Sequence, residues 1–503
     1  MSETLPEGWA STTLGCLSTY VTSGSRDWSQ FYSNHGALFI RTQDINQNRL
    51  ASADEIACVA LPKQAEGKRT LVTQGDLLIT ITGANVGKCA HVDIPLPEAY
   101  VSQSVALVRL AKGFSGRFIQ RQLISPGSDD EHTPLQQSAY GVGRPVLNLD
   151  NVRDAPIALA PFSEQERIVA KIDKLFSQVD SAREHLSRIP TILKRFRQAL
   201  LSAACSGRLT EDWRSSTSQQ IVPAMKSGMV SSLFDESDLP ELPEKWVWTT
   251  IGALGAAEKN SITDGPFGSN LKTEHYTTSG PRVIRLQNIG DYRFVDVEAH
   301  VSEQHFDTLL KHQIRAGDVA IACLGDPVPR ACLIPESVGP AIVKADCVRF
   351  KPNPDVALGN YVCYVLNDST TRARMSEIVH GVGRARLNLQ QIKSIPVPLP
   401  PMAEQLEAVN RVESMLHLAG GVERRVGLAA EQSERLAQSI LAKAFRGELV
   451  PTEAELARRE GREYEPASVL LERIKKEREH QTSVRPEHKK TQRRKAKLAA
   501  TKG

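Results

Sequence analysis

Two stretches of the chain carry apolar residues at spacings that alternate between four and three. In the first they are Ile168, Ile172, Leu175, Val179, Ala182, Leu186, Ile189, Leu193, Phe196 and Leu200. In the second they are Ala408, Val412, Met415, Ala419, Val422, Val426, Ala429, Leu436 and Ile440, with Ser433 in the same register and Gly420-Gly421 inside. A heptad stripe of this kind predicts one long helix per stretch, each with a seam to bury against another helix. Ser163, with Glu166 three residues on and Pro161 just before, reads as a capping box opening the first. Gly207 and Gly447 read as the C-terminal caps. Pro190 falls in mid-stripe and removes a backbone hydrogen bond, which predicts a kink, a tolerated bend or a short break.

Elsewhere the pattern is short, apolar and β-branched. Gly75-Asp76 precedes Leu77-Leu78-Ile79-Thr80-Ile81, and Gly317-Asp318 precedes Val319-Ala320-Ile321. Each reads as a turn entering a buried strand. Ala37 to Arg41 and Arg282 to Leu286 look like a second matched pair of strands.

The matched runs are part of a larger repetition. Gly141-Val142-Gly143-Arg144 followed by Leu147-Asn148-Leu149 returns as Gly381-Val382-Gly383-Arg384 followed by Leu387-Asn388-Leu389. Pro161 to Gln165 returns as Pro401 to Gln405, and Leu5-Pro6-Glu7-Gly8-Trp9 as Leu242-Pro243-Glu244-Lys245-Trp246. Two large copies at a near-constant offset predict a pseudo-dimer in one polypeptide. The expected organisation is a globular domain over 1–160, a helix over 161–210, a linker over 211–240, a second domain over 241–400, a second helix over 401–450, and a C-terminal helix with a basic, disordered tail over 451–503. The fold class is α+β: two α/β domains in a pseudo-twofold tandem repeat, separated by two long antiparallel coiled-coil helices. A helix of some 40 residues is about 60 Å long. Antiparallel pairing of two such helices puts a domain at each end; the competing arrangement packs each helix only on its own domain.

Composition changes this picture little. No run of about 18 apolar residues is present, so no membrane span is expected. The start MSETLPEGWA has no basic region ahead of an apolar run, so no secretory signal is expected and the location reads as cytoplasmic. The eight cysteines form no CxxC and no metal-ligand spacing with histidine, and read as reduced thiols. The net charge of +4 conceals an excess of basic over acidic residues after Arg473, so the rest of the chain is mildly acidic. Any surface for nucleic acid must then be a local patch.

The usual catalytic patterns are missing. Gly83-Ala84-Asn85-Val86-Gly87-Lys88 is one residue short of a phosphate loop, with Cys89 where a hydroxyl is needed. Its counterpart, Gly325 to Arg330, has lost the second glycine. Lys88 and Arg330 survive at matched ends, which suits DNA phosphate better than a nucleotide. Polar and basic residues recur on other matched loops: Ser23, Ser25, Arg26, Arg41, Gln43 and Arg144 in the first copy, and Ser269, Asn270, Lys272, Arg285, Gln287 and Arg384 in the second. Arg and Lys reach guanine edges and phosphates, and Gln and Asn suit adenine. The recurrence of the two Gly-x-Gly-Arg loops also fits a structural turn that hands the chain to the helix. No metal ligands are identified.

The Leu-Pro-x-x-Trp opening of each copy, the Leu-Asn-Leu that precedes the Pro-x-x-Glu-Gln junction, the helix end Phe445 to Val450 and the phrase Glu465 to Ile474 together resemble the specificity (S) subunits of type I restriction–modification systems. The resemblance covers nearly the whole chain. It implies two target-recognition domains, each reading one half of a bipartite, asymmetric site in double-stranded DNA. It implies helices that set the spacer and dock two modification (M) subunits, which methylate adenine N6, with two restriction (R) subunits joining for cleavage. This chain is then non-catalytic and carries no cofactor, and S-adenosylmethionine, ATP and Mg2+ belong to the partners. The competing readings are a methyltransferase or fused restriction enzyme in its own right, which would need a cofactor loop and an amino-methylation motif, and a coiled-coil scaffold that does not bind DNA.

Overall fold

The computed structural model describes residues 5–24, 28–46, 48–61, 68–126, 132–141, 143–217, 233–234, 236–379 and 385–476. The chain divides into two units, Met1–His185 with Leu428–Gly503, and Leu186–Gly427. The division falls inside both long helices. The expected disordered tail lies outside the described residues, as does most of the expected linker.

In the first unit the run after Gly75-Asp76 is strand Leu77–Thr80. It lies third in a sheet ordered Ser18–Ser23, Val105–Leu110, Leu77–Thr80, Cys89–His91. A second sheet is ordered Ala99–Val101, Ala37–Ile40, Cys58–Val59, Tyr32–Ser33, with its first two strands parallel. Side chains alternate along a strand. Leu77 and Ile79 therefore enter one core, shared with Leu14, Phe118 and Ile168, while Leu78 enters another with Ile40, Val101 and Leu107. A strand buried on both faces reads as a continuous apolar run, which is why this one lacks alternation.

The second unit repeats the plan. Its first sheet is ordered Ile262–Asp264, Cys347–Phe350, Val319–Ala322, Arg330–Leu333. Val319 and Ile321 face one core, and Ala320 and Ala322 the other. Its second sheet again holds a parallel pair, Tyr276–Ile284 with Ala341–Val343. The edges differ: Tyr32–Ser33 closes one end in the first unit, and Gln313–Ile314 the opposite end in the second. The recurring Gly-Asp turns have a structural cause. Gly75 and Gly317 take φ of 90° and 83°, where a Cβ is disfavoured. Buried Asp76 holds Arg109 through contacts of 2.8 and 2.7 Å, and buried Asp318 holds Arg349 at 2.8 Å.

The two heptad stretches are the helices Phe162–Cys205 and Met402–Phe445, each of 44 residues. The first begins at Phe162, two residues before the Glu164 that a cap at Ser163 implies. The Pro161 carbonyl accepts from Gln165 N at 3.0 Å, and Ser163 lies inside the first turn, so the expected capping box is not what opens it. The helix runs unbroken through Pro190, so that residue does not terminate it. The predicted glycine stops are present: Gly207 and Gly447 both take φ of 75° just beyond the last helical residue.

Each unit contains the start of one long helix and the end of the other, an antiparallel pairing. In the first, Ile168, Ile172 and Val179 share a core with Ile440, Leu441 and Ala444. In the second, Leu200, Leu201 and Ala204 share one with Ala408, Val409 and Val412. Arg183 meets Glu434 at 2.7 Å in the first unit, and Arg197 meets Glu423 at 2.6 Å in the second. Away from the ends the seam is half-open: Leu193 and Ala419 are buried, whereas Phe196, Val422 and Leu436 are 41%, 43% and 50% exposed.

The repeated junction phrases lock these helix ends in place. In the first unit Trp9 Nε1 donates to Glu164 Oε1 at 2.9 Å, and Glu453 N donates to Glu164 Oε2 at 2.8 Å. A Cβ on Gly447 would lie 2.6 Å from Pro6 Cγ. In the second unit Trp246 Nε1 donates to Glu404 Oε2 at 2.9 Å, and Thr210 Oγ1 and Arg214 Nε reach Glu404 Oε1 at 2.7 and 2.9 Å. A Cβ on Gly207 would lie 2.6 Å from Pro243 Cγ. The tryptophan phrase that opens each copy therefore holds the start of its own copy's helix and the end of the other's.

All eight cysteines are free thiols, six of them buried. Burial pushes the Cys323 and Cys332 thiols up to about 12. Among the described residues no helix is long and apolar enough to cross a membrane.

Candidate nucleic-acid interface

In the first unit hydrogen bonds gather four loops at one end of the sheets. Gly83 N donates to Pro145 O at 3.1 Å and Leu147 N to Ile81 O at 2.9 Å, which joins the Gly83–Lys88 turn to the Gly141–Arg144 loop. Asn85 Nδ2 donates to Thr42 O at 3.4 Å, adding the turn of Arg41 and Gln43. Gly24 N donates to Ser102 O at 3.2 Å, and Ser102 N to Ile40 O at 2.8 Å, which brings Ser23 to the same place. Gly24 is required here, since a Cβ would lie 1.9 Å from Val101 O.

The second unit gathers the corresponding loops by similar contacts. Gly325 N donates to Ala385 O at 3.2 Å, Leu387 N to Cys323 O at 2.8 Å, and Lys344 N to Ile284 O at 2.8 Å. Gly265 N donates to Cys347 O at 3.1 Å, and a Cβ on Gly265 would lie 2.1 Å from Lys344 C and O. Residues that are far apart in sequence are thus brought together twice, by the same topology.

The individual residues differ in how free they are. Arg144 is exposed, on a hairpin closed by Tyr140 N to Val146 O at 3.0 Å and Val146 N to Tyr140 O at 2.9 Å. Gly141 and Gly143 supply its left-handed positions, at φ of 105° and 82°. Gln43 and Gln287 are exposed and Lys88 is half-buried. Arg41 is engaged with buried Asp44, Nε to Oδ2 at 3.1 Å and NH2 to Oδ1 at 3.2 Å. That hydrogen bond holds its guanidinium above the ordinary value. Arg285 donates to the Val297 and Glu298 carbonyls at 3.4 and 3.2 Å. Arg330 begins strand Arg330–Leu333 and is half-buried. Exposed Lys272 lies 3.5 Å from Glu274, and the Asn270 carbonyl contacts His305 Nε2 at 2.9 Å. Ser269 lies in the turn Gly268–Asn270. Ser25, Arg26 and Arg384 lie outside the described residues.

The Gly83–Lys88 stretch is a strand-joining turn. Val86 N donates to Gly83 O at 3.0 Å, Gly87 N to Thr80 O at 3.0 Å and Lys88 N to Asn85 O at 3.1 Å. Amides engaged with carbonyls of the turn and of the strand before it are not free to cradle a phosphate. The Leu-Asn-Leu repeats are helix starts: Asn148 caps Leu149–Asp154 with Asn151 as its reciprocal partner, and Asn388 caps Leu389–Lys393 with Gln391.

Sequence reasoning missed Arg386. Its NH2 lies 2.9 Å from Asp346 Oδ1, and its guanidinium lies over the Phe267 ring, 5.4 Å from the centroid. The signal was hidden because the first copy has Val146 at this place in the aligned loop, so the residue does not recur.

Comparison with known proteins agrees with this architecture. Residues 285–417 match the model of the type I restriction modification DNA specificity domain. The chain is 30% identical over 353 residues to the EcoDI specificity subunit of Escherichia coli, covering 68% of this chain and 73% of the relative. It is 28% identical over 494 residues to the EcoKI specificity subunit of E. coli strain K12, covering 94% and 96%. A chain solved in work on assembly and conformational transition of the type I R-M system superposes with a TM-score of 0.61 at 18% identity, covering 88% of this chain and 99% of that one. The HsdS subunit of Thermoanaerobacter tengcongensis gives 0.50 at 18% identity, covering 89% and 99%. With its duplicated loop-bearing sheets and paired long helices, the chain belongs to the family of type I restriction enzyme specificity subunits.

Proposed function

We propose that this chain is the DNA-recognition subunit of a type I restriction–modification complex, in which each unit reads one half of a bipartite, asymmetric site. The observation that carries this reading is the twofold gathering of loops bearing exposed Arg144 and Gln43 in one unit and Lys272, Gln287 and Arg386 in the other. One topology with different side chains on its loops suits two different half-sites. The two long helices act as the spacer, and their length and continuity support that role. Their half-open apolar seam suits docking of modification subunits that methylate adenine N6; restriction subunits join for cleavage. The chemistry belongs to these partners, which bind S-adenosylmethionine, ATP and Mg2+. The complex works on cytoplasmic DNA.

The test is co-expression of the chain with its modification subunit and sequencing of N6-methyladenine in host DNA. A split asymmetric motif that vanishes when this chain is omitted supports the reading. An assembled complex with no motif contradicts it. The scaffold reading has no specific observation in its favour.

A further inference from the structure

This inference rests on the DNA-recognition reading and deepens it. Arg386 lies in a β-bridge with Leu324, so its backbone is fixed at the rim of the loop cluster. Its side chain is held on two sides. Asp346 Oδ1 takes one donor at 2.9 Å, and the Phe267 ring lies beneath the guanidinium at 5.4 Å. Asp346 is itself positioned, at φ of 66°, with its carbonyl accepting from Cys323 N at 2.8 Å. Yet Arg386 keeps 53% of its side chain exposed, and Phe267 is 47% exposed. An anchored guanidinium with an open outer edge is prepared to meet something from solvent.

DNA offers it two kinds of target, a phosphate or a base edge. A guanidinium has five N–H donors, so the contact with Asp346 leaves a fork that can span two acceptors. The carboxylate decides between the targets. It offsets the local positive charge and repels a phosphate, whereas an uncharged base edge feels no such repulsion. A carboxylate also accepts from the cytosine amino group, while arginine spans O6 and N7 of guanine. The aromatic face restricts the arginine to few conformations, which lowers the entropic cost of a directional contact. The pair thus matches a G·C base pair seen from the major groove. Val146 replaces Arg386 in the first unit, so the device belongs to the second alone.

We propose that Arg386, positioned by Asp346 and Phe267, is a specificity-determining residue of the second unit that reads the guanine of a G·C pair in one half-site. The test uses the full chain in complex with its modification subunits, with assembly checked by gel filtration. The N6-methyladenine motif is mapped for the wild type, Arg386→Ala and Arg386→Gln. Arg386→Ala should relax one G·C position in one half-site, lowering discrimination there about ten- to hundred-fold, with the bases of the other half-site unchanged. Arg386→Gln should move the preference at that position toward adenine, and it carries the test if the alanine variant does not assemble. The inference is overturned if the assembled variants keep the wild-type motif, or if methylation falls evenly at every site, as loss of a phosphate contact would produce. A wild-type complex with no split motif would instead overturn the recognition reading itself.

Discussion

The indole of Trp9 donates to the carboxylate of Glu164 at 2.9 Å, across 155 residues of sequence. Trp246 and Glu404 repeat the contact in the second unit, at 2.9 Å. Both carboxylates are almost wholly buried, and each also receives a donor from the segment that follows the other copy's helix. Replacing Glu164 by alanine would leave the Trp9 N–H and the Glu453 amide buried without acceptors. Glu164→Ala should cost roughly 2–4 kcal/mol, read as a lower urea midpoint. An unchanged midpoint would show that the junction does not hold the unit together.

The same carboxylate gives a pH dependence. Desolvation is the largest influence on Glu164 and holds its pKa above the usual value of 4.5. The folded state therefore keeps this proton at a pH where the unfolded chain has released it. By linkage, the contribution of Glu164 to stability falls as pH rises from about 4.5 through the raised folded value, and is level above it. Urea midpoints of wild type and Glu164→Gln, compared across that interval, should move apart as the pH rises, with wild type losing more. Parallel curves would contradict this.

Gly24 and Gly265 stand at equivalent crossings where a side chain has no room. Gly24→Ala should cost about 1–3 kcal/mol through forced backbone movement and weaken recognition of one half-site. Gly265→Ala should do the same for the other. Thermal melts and methylation at each half-site test both, and normal methylation by both variants would show that these loops lie away from the DNA.

Arg41 and Arg144 should separate in their effects. Arg144→Ala should change stability by less than about 0.5 kcal/mol while disturbing one half-site. Arg41→Ala leaves the buried Asp44 carboxylate without its guanidinium and should lower stability by roughly 1–3 kcal/mol. Arg384→Ala should disturb the half-site that Arg144→Ala leaves alone. If the Arg144 and Arg384 variants methylate the same sites as wild type, the two Gly-x-Gly-Arg loops are structural turns.

Much of the architecture was legible because it follows from spacing. The heptad stripes gave both helices, and Gly207 and Gly447 marked their ends to within two residues. The apolar runs after Gly-Asp gave the central strands. The start of the first helix is less legible: capping residue types stand at Ser163 and Glu166, while the first turn forms on the Pro161 carbonyl. The site was less legible. Recurrence drew attention to Gly-Asp, Leu-Asn-Leu and Glu-Gln, which serve turns, caps and helix junctions. Arg386 occurs in only one copy, and its partners Asp346 and Phe267 are distant in sequence, so only the fold brings them together.

The spacer role makes a geometric prediction. Seven residues inserted in each long helix add about 10 Å, equivalent to about three base pairs. The gap between half-sites should widen by that amount with both half-sites intact. An unchanged gap would remove the spacer role.

The central claim is best tested by the methylation map of host DNA from cells expressing the chain with its modification subunit. The account predicts a split, asymmetric motif that depends on this chain. A continuous motif, or one that persists without the chain, would contradict it.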